Sequence, residues 1–187
     1  MGSDMRIILA SASPRRKVIM NDLGLDFDVV IPEVDEVHWD NDPTGTVEVN
    51  ARRKCEAVSA AYPDAAVIAA DTVVVLDGVC LGKPDSMPGA EKMLLSFSGK
   101  LQVVYSGVAM QAPGRENDFE LARSEVRFRV MSEELVREYF KLVYPLDRAG
   151  AYDVNEHSEL IIDSFSGSRT NIMGLPRKVV SDWLQRL

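Results

Sequence analysis

Two stretches of the chain carry polar side chains whose types and spacing suit chemistry with phosphate groups. In the first, Leu9 to Arg16, two serines and two arginines lie within six residues, where an apolar run ends and an amphipathic segment begins. Pro14 suits the first position of a helix, and Ser13 suits the N-cap before it. Helix N-termini attract anions, and hydroxyl and guanidinium groups donate to phosphate oxygens. This stretch predicts either a phosphate site, with contacts from Ser11, Ser13, Arg15 and Arg16, or a well-capped helix with surface arginines.

The second stretch is an apolar run over residues 66–76 that contains Asp71. An ionised carboxylate among valines, alanines and isoleucine carries a heavy desolvation cost unless a cation lies beside it. A divalent metal ion, a lysine or an arginine would each serve, and Mg²⁺ is often held by one or two carboxylates together with substrate phosphates. The structural alternative is that Asp71 lies at an exposed strand end or pairs with a lysine of the core.

Two lysines are candidate partners for this region. Lys83 lies at the foot of a hairpin that the Asp77-Gly78 turn predicts, and on that condition it shares a cleft with Asp71. Lys54 belongs to the run Arg52-Arg53-Lys54 on a predicted helix, and one of these three side chains is expected to point inward. Solvated surface positions are the alternative for both lysines.

Several other chemistries are excluded by the sequence. His38 and His157 have no cysteine or histidine neighbours, so a zinc site is not expected. Neither a phosphate loop nor a dinucleotide glycine pattern occurs, and the nucleophile turn of a serine hydrolase is missing. Cys55 and Cys80 are expected to be inert core thiols. With no nucleophilic side chain, water is the expected nucleophile, with a carboxylate as general base and a metal ion as Lewis acid.

Length and composition set the broad class of the protein. The chain has 187 residues, 46% of them hydrophobic, which suits one domain with a real core, in one or two lobes. A net charge of -8 disfavours nucleic acid and anionic membranes as partners. Because no apolar run approaches the roughly 20 residues that span a bilayer, a soluble, cytoplasmic protein is expected. Residues 1–4 are interpreted as a cloning remnant before a natural start at Met5.

The elements that must position these residues are strands and helices in mixed order. Apolar patterns predict strands near residues 5–10, 27–31, 66–76, 79–81, 101–110, 119–130 and 160–162. Helices are predicted near residues 14–23, 44–62, 88–97 and 132–142, with a last one through Val179 and Leu184. The turn from Ser11 to Arg16 therefore follows directly after a predicted strand, and Asp71 lies within another one.

Eight short pieces occur in one order over nearly the whole chain. They are Ser11-Ala-Ser-Pro-Arg-Arg16, Asp35-Glu36, Arg53-Lys54, Ala70-Asp-Thr-Val-Val74, Leu81-Gly-Lys-Pro84, Phe97-Ser-Gly-Lys100, Arg148-Ala-Gly-Ala-Tyr152, and Gly167-Ser-Arg-Thr-Asn171 with Gly174-Leu-Pro176. In this order the chain resembles the Maf family of nucleoside triphosphate pyrophosphatases, also called septum formation proteins. Each piece alone is a weak signal, and the specificity comes from all eight in register.

The resemblance implies hydrolysis of a nucleoside triphosphate between its α- and β-phosphates, with Mg²⁺ or Mn²⁺, to give a monophosphate and pyrophosphate. It also implies the α/β fold of the inosine triphosphate pyrophosphatases. That fold is a long twisted mixed β-sheet flanked by helices, in a single domain with two lobes around a central cleft. Homodimers are common among relatives, so a second copy of the chain is one further partner to consider.

The resemblance also implies roles for individual residues. Asp71 is similar to the family's proton acceptor and metal-linked carboxylate, and Glu36 is similar to its second carboxylate. The triphosphate contacts that the resemblance implies are Ser11, Arg15, Lys54 and Lys83. These roles agree with the chemistry expected from the residues themselves, in which Asp71 needs a cation and the opening turn suits phosphate.

The resemblance is less specific about the base of the nucleotide than about the reaction. Arg15, Thr72 and Asn155 fall where the family tunes it, but the dTTP- and UTP-preferring branch has glutamine in place of Asn155 and histidine in place of Gln102. Asparagine is one methylene shorter, so a hydrogen bond to a pyrimidine edge is lost or relayed by water. Pyrimidine triphosphates are the favoured substrates, with modified nucleotides left open. The alternative function is a nucleotide-binding regulator of cell division with little turnover.

Overall fold

A computed structural model describes residues 5–187, so the interpretation of residues 1–4 lies outside the described part of the chain. Between residues 5 and 187 the strands form one mixed seven-stranded sheet. The strands are β1 (Ile7–Ala10), β2 (Asp28–Val30), β3 (Ala66–Leu76), β4 (Val79–Leu81), β5 (Leu101–Gln111), β6 (Asp118–Phe128) and β7 (Ile162–Ser166). Their order is β2-β1-β3-β5-β6-β7, with β4 paired to β3.

Helices connect these strands. They are α1 (Pro14–Asp22), α2 (Pro43–Ala61), α3 (Met87–Ser96), α4 (Glu133–Leu142), α5 (Arg169–Ile172) and α6 (Arg177–Leu184). Strand β1 runs parallel to β2 and β3, whereas β3, β5, β6 and β7 pair antiparallel. Parallel neighbours need a crossover connection, which α1 provides between β1 and β2. Within the described residues, no helix has the length and apolar character to cross a bilayer.

Helices cover both faces of the sheet. Side chains alternate between faces along a strand, and the two faces of β1 accordingly belong to different apolar clusters. Leu9 packs with residues of α1 and α6, and its neighbour Ile8 packs with residues of α2. A third cluster, around Phe97, Phe128 and Tyr152, joins the far part of the sheet to α3 and α4. The predicted mixed sheet flanked by helices is confirmed.

Most predicted elements are present, and the bounds of one predicted strand are wrong. The strand expected over residues 66–76 is β3, and Asp77 and Gly78 both have positive φ, as a two-residue hairpin turn requires. The strand expected near 160–162 begins only at Ile162 and runs on as β7, because Ser158–Leu160 forms a 3₁₀ turn. As an edge strand, β7 is exposed at four of its five residues, so it lacks the apolar run that would reveal it.

The two cysteines are confirmed as buried, free thiols. Cys55 lies on the buried face of α2, and burial raises the pKa of its thiol to about 12. Burial also raises the pKa of Cys80. Thiols with raised pKa values carry little thiolate at neutral pH and are poor nucleophiles, so the expected inert role fits both.

Candidate active site

A cleft of about 1010 Å³ lies among the turn after β1, the middle of β3, the loop before α2 and the segment 147–156. All but one of the site residues expected from the sequence line it: Ser11, Ser13, Arg15, Arg16, Glu36, Lys54, Asp71, Thr72 and Lys83. The exception is Asn155, which is exposed and outside the lining. The fold therefore brings together residues that are up to 72 positions apart in the printed sequence.

Lys54 joins the two expected carboxylates. Its Nζ lies 2.7 Å from Asp71 Oδ1 and 2.9 Å from Glu36 Oε1. The side chains of Lys54 and Asp71 are 9% and 11% exposed, whereas that of Glu36 is 55% exposed. The cation that buried Asp71 needs is thus a lysine of the cleft wall, and Lys54 is the inward member of its basic run. We call these three residues the Asp71 cluster.

Asn50 is a site residue that the sequence analysis missed. It is buried on α2 and donates to Asp71 Oδ2 at 3.0 Å. The signal that would have found it is its spacing, because residues four apart lie on one face of a helix. A polar residue four positions before Lys54 therefore shares the inward face of α2.

The turn after β1 forms as predicted. Pro14 begins α1, and the Ser13 hydroxyl accepts from the backbone N–H of Arg16 as the N-cap. Ser11 is buried, and its Oγ accepts from the backbone N–H of Ser13 at 3.1 Å. The turn presents the N-terminus of a nine-residue helix to the cleft, which is the arrangement that favours an anion.

The two arginines of this turn have different surroundings. Arg16 donates to Gly174 O and Ala70 O, both at 2.8 Å, and also to Ser11 Oγ and Thr72 Oγ1. Most of its five N–H groups are thus used to tie the turn to β3 and to the turn at residue 174. Burial lowers the pKa of Arg16, and the nearby Asp71 carboxylate opposes that shift.

Arg15, by contrast, keeps its donors for the cleft. Its guanidinium is partly buried near Asp153 and Arg148, and it is not hydrogen-bonded or ion-paired to any residue from 5 to 187. Burial lowers the pKa of Arg15, and the Asp153 carboxylate opposes the shift. Of the two arginines, Arg15 is the one whose guanidinium donors are open to the cleft.

Thr72 and Lys83 also reach the cleft. The Thr72 hydroxyl shares a 2.8 Å hydrogen bond with Ser106 and donates to Gly174 O at 3.3 Å. Lys83 is exposed on the chain after β4, and its neighbour Gly82 accepts a backbone hydrogen bond from Gly150. The hairpin of β3 and β4 is therefore linked to the segment 147–156 across the cleft.

That segment contributes charges that the sequence analysis did not assign to the site. Arg148 lies 2.9 Å from Asp153, 3.3 Å from Asp147 and 3.2 Å from Glu156, measured between charged atoms. All four residues line the cleft, and we call them the Arg148 cluster. Asp153 and Glu156 line the cleft, whereas Asn155, which was expected to face the ligand, does not. The signal for them was the density of acidic residues around Arg148.

The carboxylates of the Asp71 cluster have the chemistry of a divalent metal site. Glu36 and Asp71 each direct one oxygen at the Lys54 ammonium group, so the two carboxylates lie close together on either side of this lysine. Carboxylate oxygens suit Mg²⁺ and Mn²⁺, which also take phosphate and water oxygens. Among the residues described, no set of three or more His, Cys, Asp or Glu side chains is arranged around a metal position. A metal ion held by this pair would therefore need further ligands, such as oxygens of a substrate and of water.

Comparisons with known proteins show what the whole chain is similar to. A family model described as Maf-like protein matches residues 6–187. The chain is 44% identical to the dTTP/UTP pyrophosphatase of Symbiobacterium thermophilum, over 91% of this chain and 88% of the relative. It is also 44% identical to that of Bacteroides thetaiotaomicron, over 97% of this chain and 96% of the relative.

The fold is similar to that of a solved structure with low sequence identity. The Staphylococcus aureus Ham1 protein aligns with a TM-score of 0.50 and 16% identity, over 97% of this chain and 98% of that one. At such low sequence identity the similarity is evidence about the fold alone. It agrees with the mixed sheet flanked by helices described above.

Proposed function

The chain belongs to the Maf-like protein family, and on that premise we propose that it hydrolyses nucleoside triphosphates to a monophosphate and pyrophosphate. The observation that carries the proposal is the Asp71 cluster, in which Lys54 holds two carboxylates beside the N-terminus of α1. Both relatives named above are dTTP/UTP pyrophosphatases. Their reaction needs a proton acceptor and a cationic cradle for a triphosphate, and this cleft contains candidates for both.

We assign the proton acceptor role to Asp71. One of its oxygens accepts from Lys54 and the other from Asn50, which fixes the carboxylate plane. Each carboxylate oxygen has two lone pairs, so one pair on each remains for a water molecule. Accepting a proton from that water as it attacks the α-phosphorus is general base catalysis. Lys54 meanwhile keeps the buried negative charge compensated.

The phosphate groups are assigned to the turn after β1 and to Lys83. Arg15 has unpaired guanidinium donors, Ser13 caps the helix, and the N-terminus of α1 adds partial positive charge. Glu36 and Asp71 would hold Mg²⁺ or Mn²⁺, which supplies Lewis acidity and neutralises phosphate charge when bound. Arg16 supports the turn from behind through its contacts to Ala70 and Gly174.

For the base, we favour pyrimidine triphosphates because of the relatives' names. Asn155 lies outside the cleft lining, so a direct amide contact to the base is not the basis of this proposal. A cytoplasmic location, a homodimer and a part in septum formation stay predictions. The alternative of a nucleotide-binding regulator without turnover gains no support from the cleft, which holds candidate groups for the complete reaction.

The test is product analysis over a panel of canonical and modified triphosphates. We expect equal amounts of pyrophosphate and monophosphate, with Mg²⁺ or Mn²⁺ required, and the fastest turnover with dTTP or UTP. In ¹⁸O-labelled water the label should enter the monophosphate, because attack occurs at the α-phosphorus. Release of orthophosphate, or nucleotide binding without turnover of any panel member, would contradict the proposal, and the second result would favour the regulator.

A further inference from the structure

Asn50 forms hydrogen bonds to two separate parts of the cleft, strand β3 and the irregular segment before α2. It lies on α2 and is 2% exposed. Its Nδ2 donates to Asp71 Oδ2 at 3.0 Å and to Val37 O at 2.9 Å, while its Oδ1 accepts from the Val37 backbone N–H at 2.8 Å. One buried amide thus bonds both to the carboxylate of β3 and to the residue that follows Glu36.

The network fixes the orientation of this amide. A side-chain amide has two N–H donors, and Asn50 uses one on Asp71 and the other on Val37 O. Flipping the amide would turn its oxygen toward a carboxylate and a carbonyl and its nitrogen toward an N–H, so only the observed orientation satisfies the partners. Since no donor remains for a substrate, Asn50 acts through the groups that it holds.

Its position on the helix brings Asn50 into contact with one carboxylate and with the segment that carries the other. Asn50 and Lys54 lie one turn apart on α2 and bond to the two different oxygens of Asp71. Glu36 lies on an irregular segment between β2 and α2, which has no strand partner to fix its path. The paired bonds between Asn50 and Val37 tie that segment to the helix.

We propose that Asn50 is a positioning residue that holds the Asp71 carboxylate and the Glu36 loop in register with each other. This role rests on the proposed pyrophosphatase function. Replacing partners that orient functional carboxylates lowers activity about 10- to 100-fold, and we expect a loss of kcat in that range for Asn50→Leu. The KM for the nucleotide should change less, because Arg15 and the N-terminus of α1 stay in place.

Two variants and a matched control separate positioning from simple support of the fold. Asn50→Asp keeps the size and the acceptor for the Val37 N–H but removes the donor to Asp71. Thr46→Val is the control, because buried Thr46 anchors the same loop by accepting from the Trp39 N–H at 3.1 Å and does not bond to Asp71. Both Asn50 variants should lose kcat, whereas Thr46→Val should lose thermal stability without a comparable loss of kcat.

The decisive measurement is kcat in the Asp71→Asn background. If Asn50 acts through Asp71, adding Asn50→Leu there should cause little further loss, because coupled residues are not additive. Additive losses, or wild-type kcat in folded Asn50→Asp, would overturn the positioning role. Equal kcat losses in the Thr46 and Asn50 variants would do the same. A wild-type protein that releases no pyrophosphate would instead refute the proposed function, on which this role depends.

Discussion

Two groups of charged residues face the same cleft and differ in how well their hydrogen bonds are satisfied. In the Asp71 cluster, Lys54 contacts two carboxylates, and both oxygens of Asp71 accept hydrogen bonds. In the Arg148 cluster, one guanidinium faces three carboxylates within ion-pair distance. Its buried Nε and Nη1 nevertheless form no hydrogen bond with any group in residues 5–187.

The difference follows from the elements that carry each cluster. Asp71 lies in the middle of β3 and Lys54 on α2, where regular backbone fixes the direction of each side chain. The Arg148 cluster lies on an irregular segment in which Gly150 and Ala151 both have positive φ. Sites on regular elements hold their geometry more closely than sites on loops. We therefore expect the chemical step at the Asp71 cluster and adjustment to a bound nucleotide at the Arg148 cluster.

The largest expected difference between the clusters is in catalysis. Asp71→Asn keeps the shape of the side chain but removes the proton acceptor, so kcat for pyrophosphate release should fall by roughly 10²–10⁴-fold. Asp153→Asn is the matched control, because Asp153 is also a buried acid paired with a cation. It should cost far less in kcat at saturating nucleotide. Similar losses in the two variants would refute the assignment of chemistry to one cluster.

The next difference concerns stability, measured by denaturant unfolding of Lys54→Met and Arg148→Met. Removing one partner of a buried, hydrogen-bonded pair costs about 3–5 kcal/mol, and we expect Lys54→Met to fall in that range. Arg148→Met should cost less, about 1–3 kcal/mol, because two of its ion pairs lack hydrogen bonds. In addition, Asp153 Oδ1 keeps its bond from the Asn155 N–H. An equal or greater cost for Arg148→Met would contradict this ranking.

The sequence was informative where residue type itself signals a physical requirement. A carboxylate in an apolar strand requires a cation, and the helical period of α2 turns one of three basic residues inward. The need of Asp71 for a cation was therefore predictable, but the sequence left open that Lys54 supplies it. The cap at Ser13 and Pro14 was predictable for the same reason. The sequence did not reveal that Arg16 ties the turn after β1 to its neighbours, because its main acceptors are the backbone carbonyls of Ala70 and Gly174. A backbone carbonyl carries no residue-type signal.

The segment 147–156 was harder to predict because its apolar residues follow neither the helical nor the strand periodicity. Asn155 was placed by resemblance, but the Asp153 carboxylate accepts from its backbone N–H at 2.7 Å and forms a local turn. Asp153 and Glu156 then line the cleft, and the Asn155 side chain is exposed. This orientation of the segment depends on the positive φ values at Gly150 and Ala151. Alanine rarely adopts a positive φ, so the residue type does not indicate this conformation.

The smallest expected effect tests what holds the Arg148 cluster in place. The Tyr139 hydroxyl, on α4, accepts from the Asp153 backbone N–H at 3.0 Å and donates toward Asp153 O at 3.4 Å. Losing these bonds in Tyr139→Phe should cost about 1 kcal/mol of unfolding free energy at pH 8. The Asp71 cluster is untouched, so kcat at that pH should change little.

The pH dependence of stability in the same variant gives the sharper measurement. Burial raises the pKa of Tyr139 to about 12, above the ordinary value of about 10. Because the unfolded state ionises first, this contribution is complete below pH 10 and is lost as the pH rises toward 12. The unfolding free energy of Tyr139→Phe should therefore fall less steeply than that of the wild type across this window. Parallel slopes would mean that the pKa of the Tyr139 phenol is not raised in the folded protein, so that its hydroxyl is not buried against the segment 147–156.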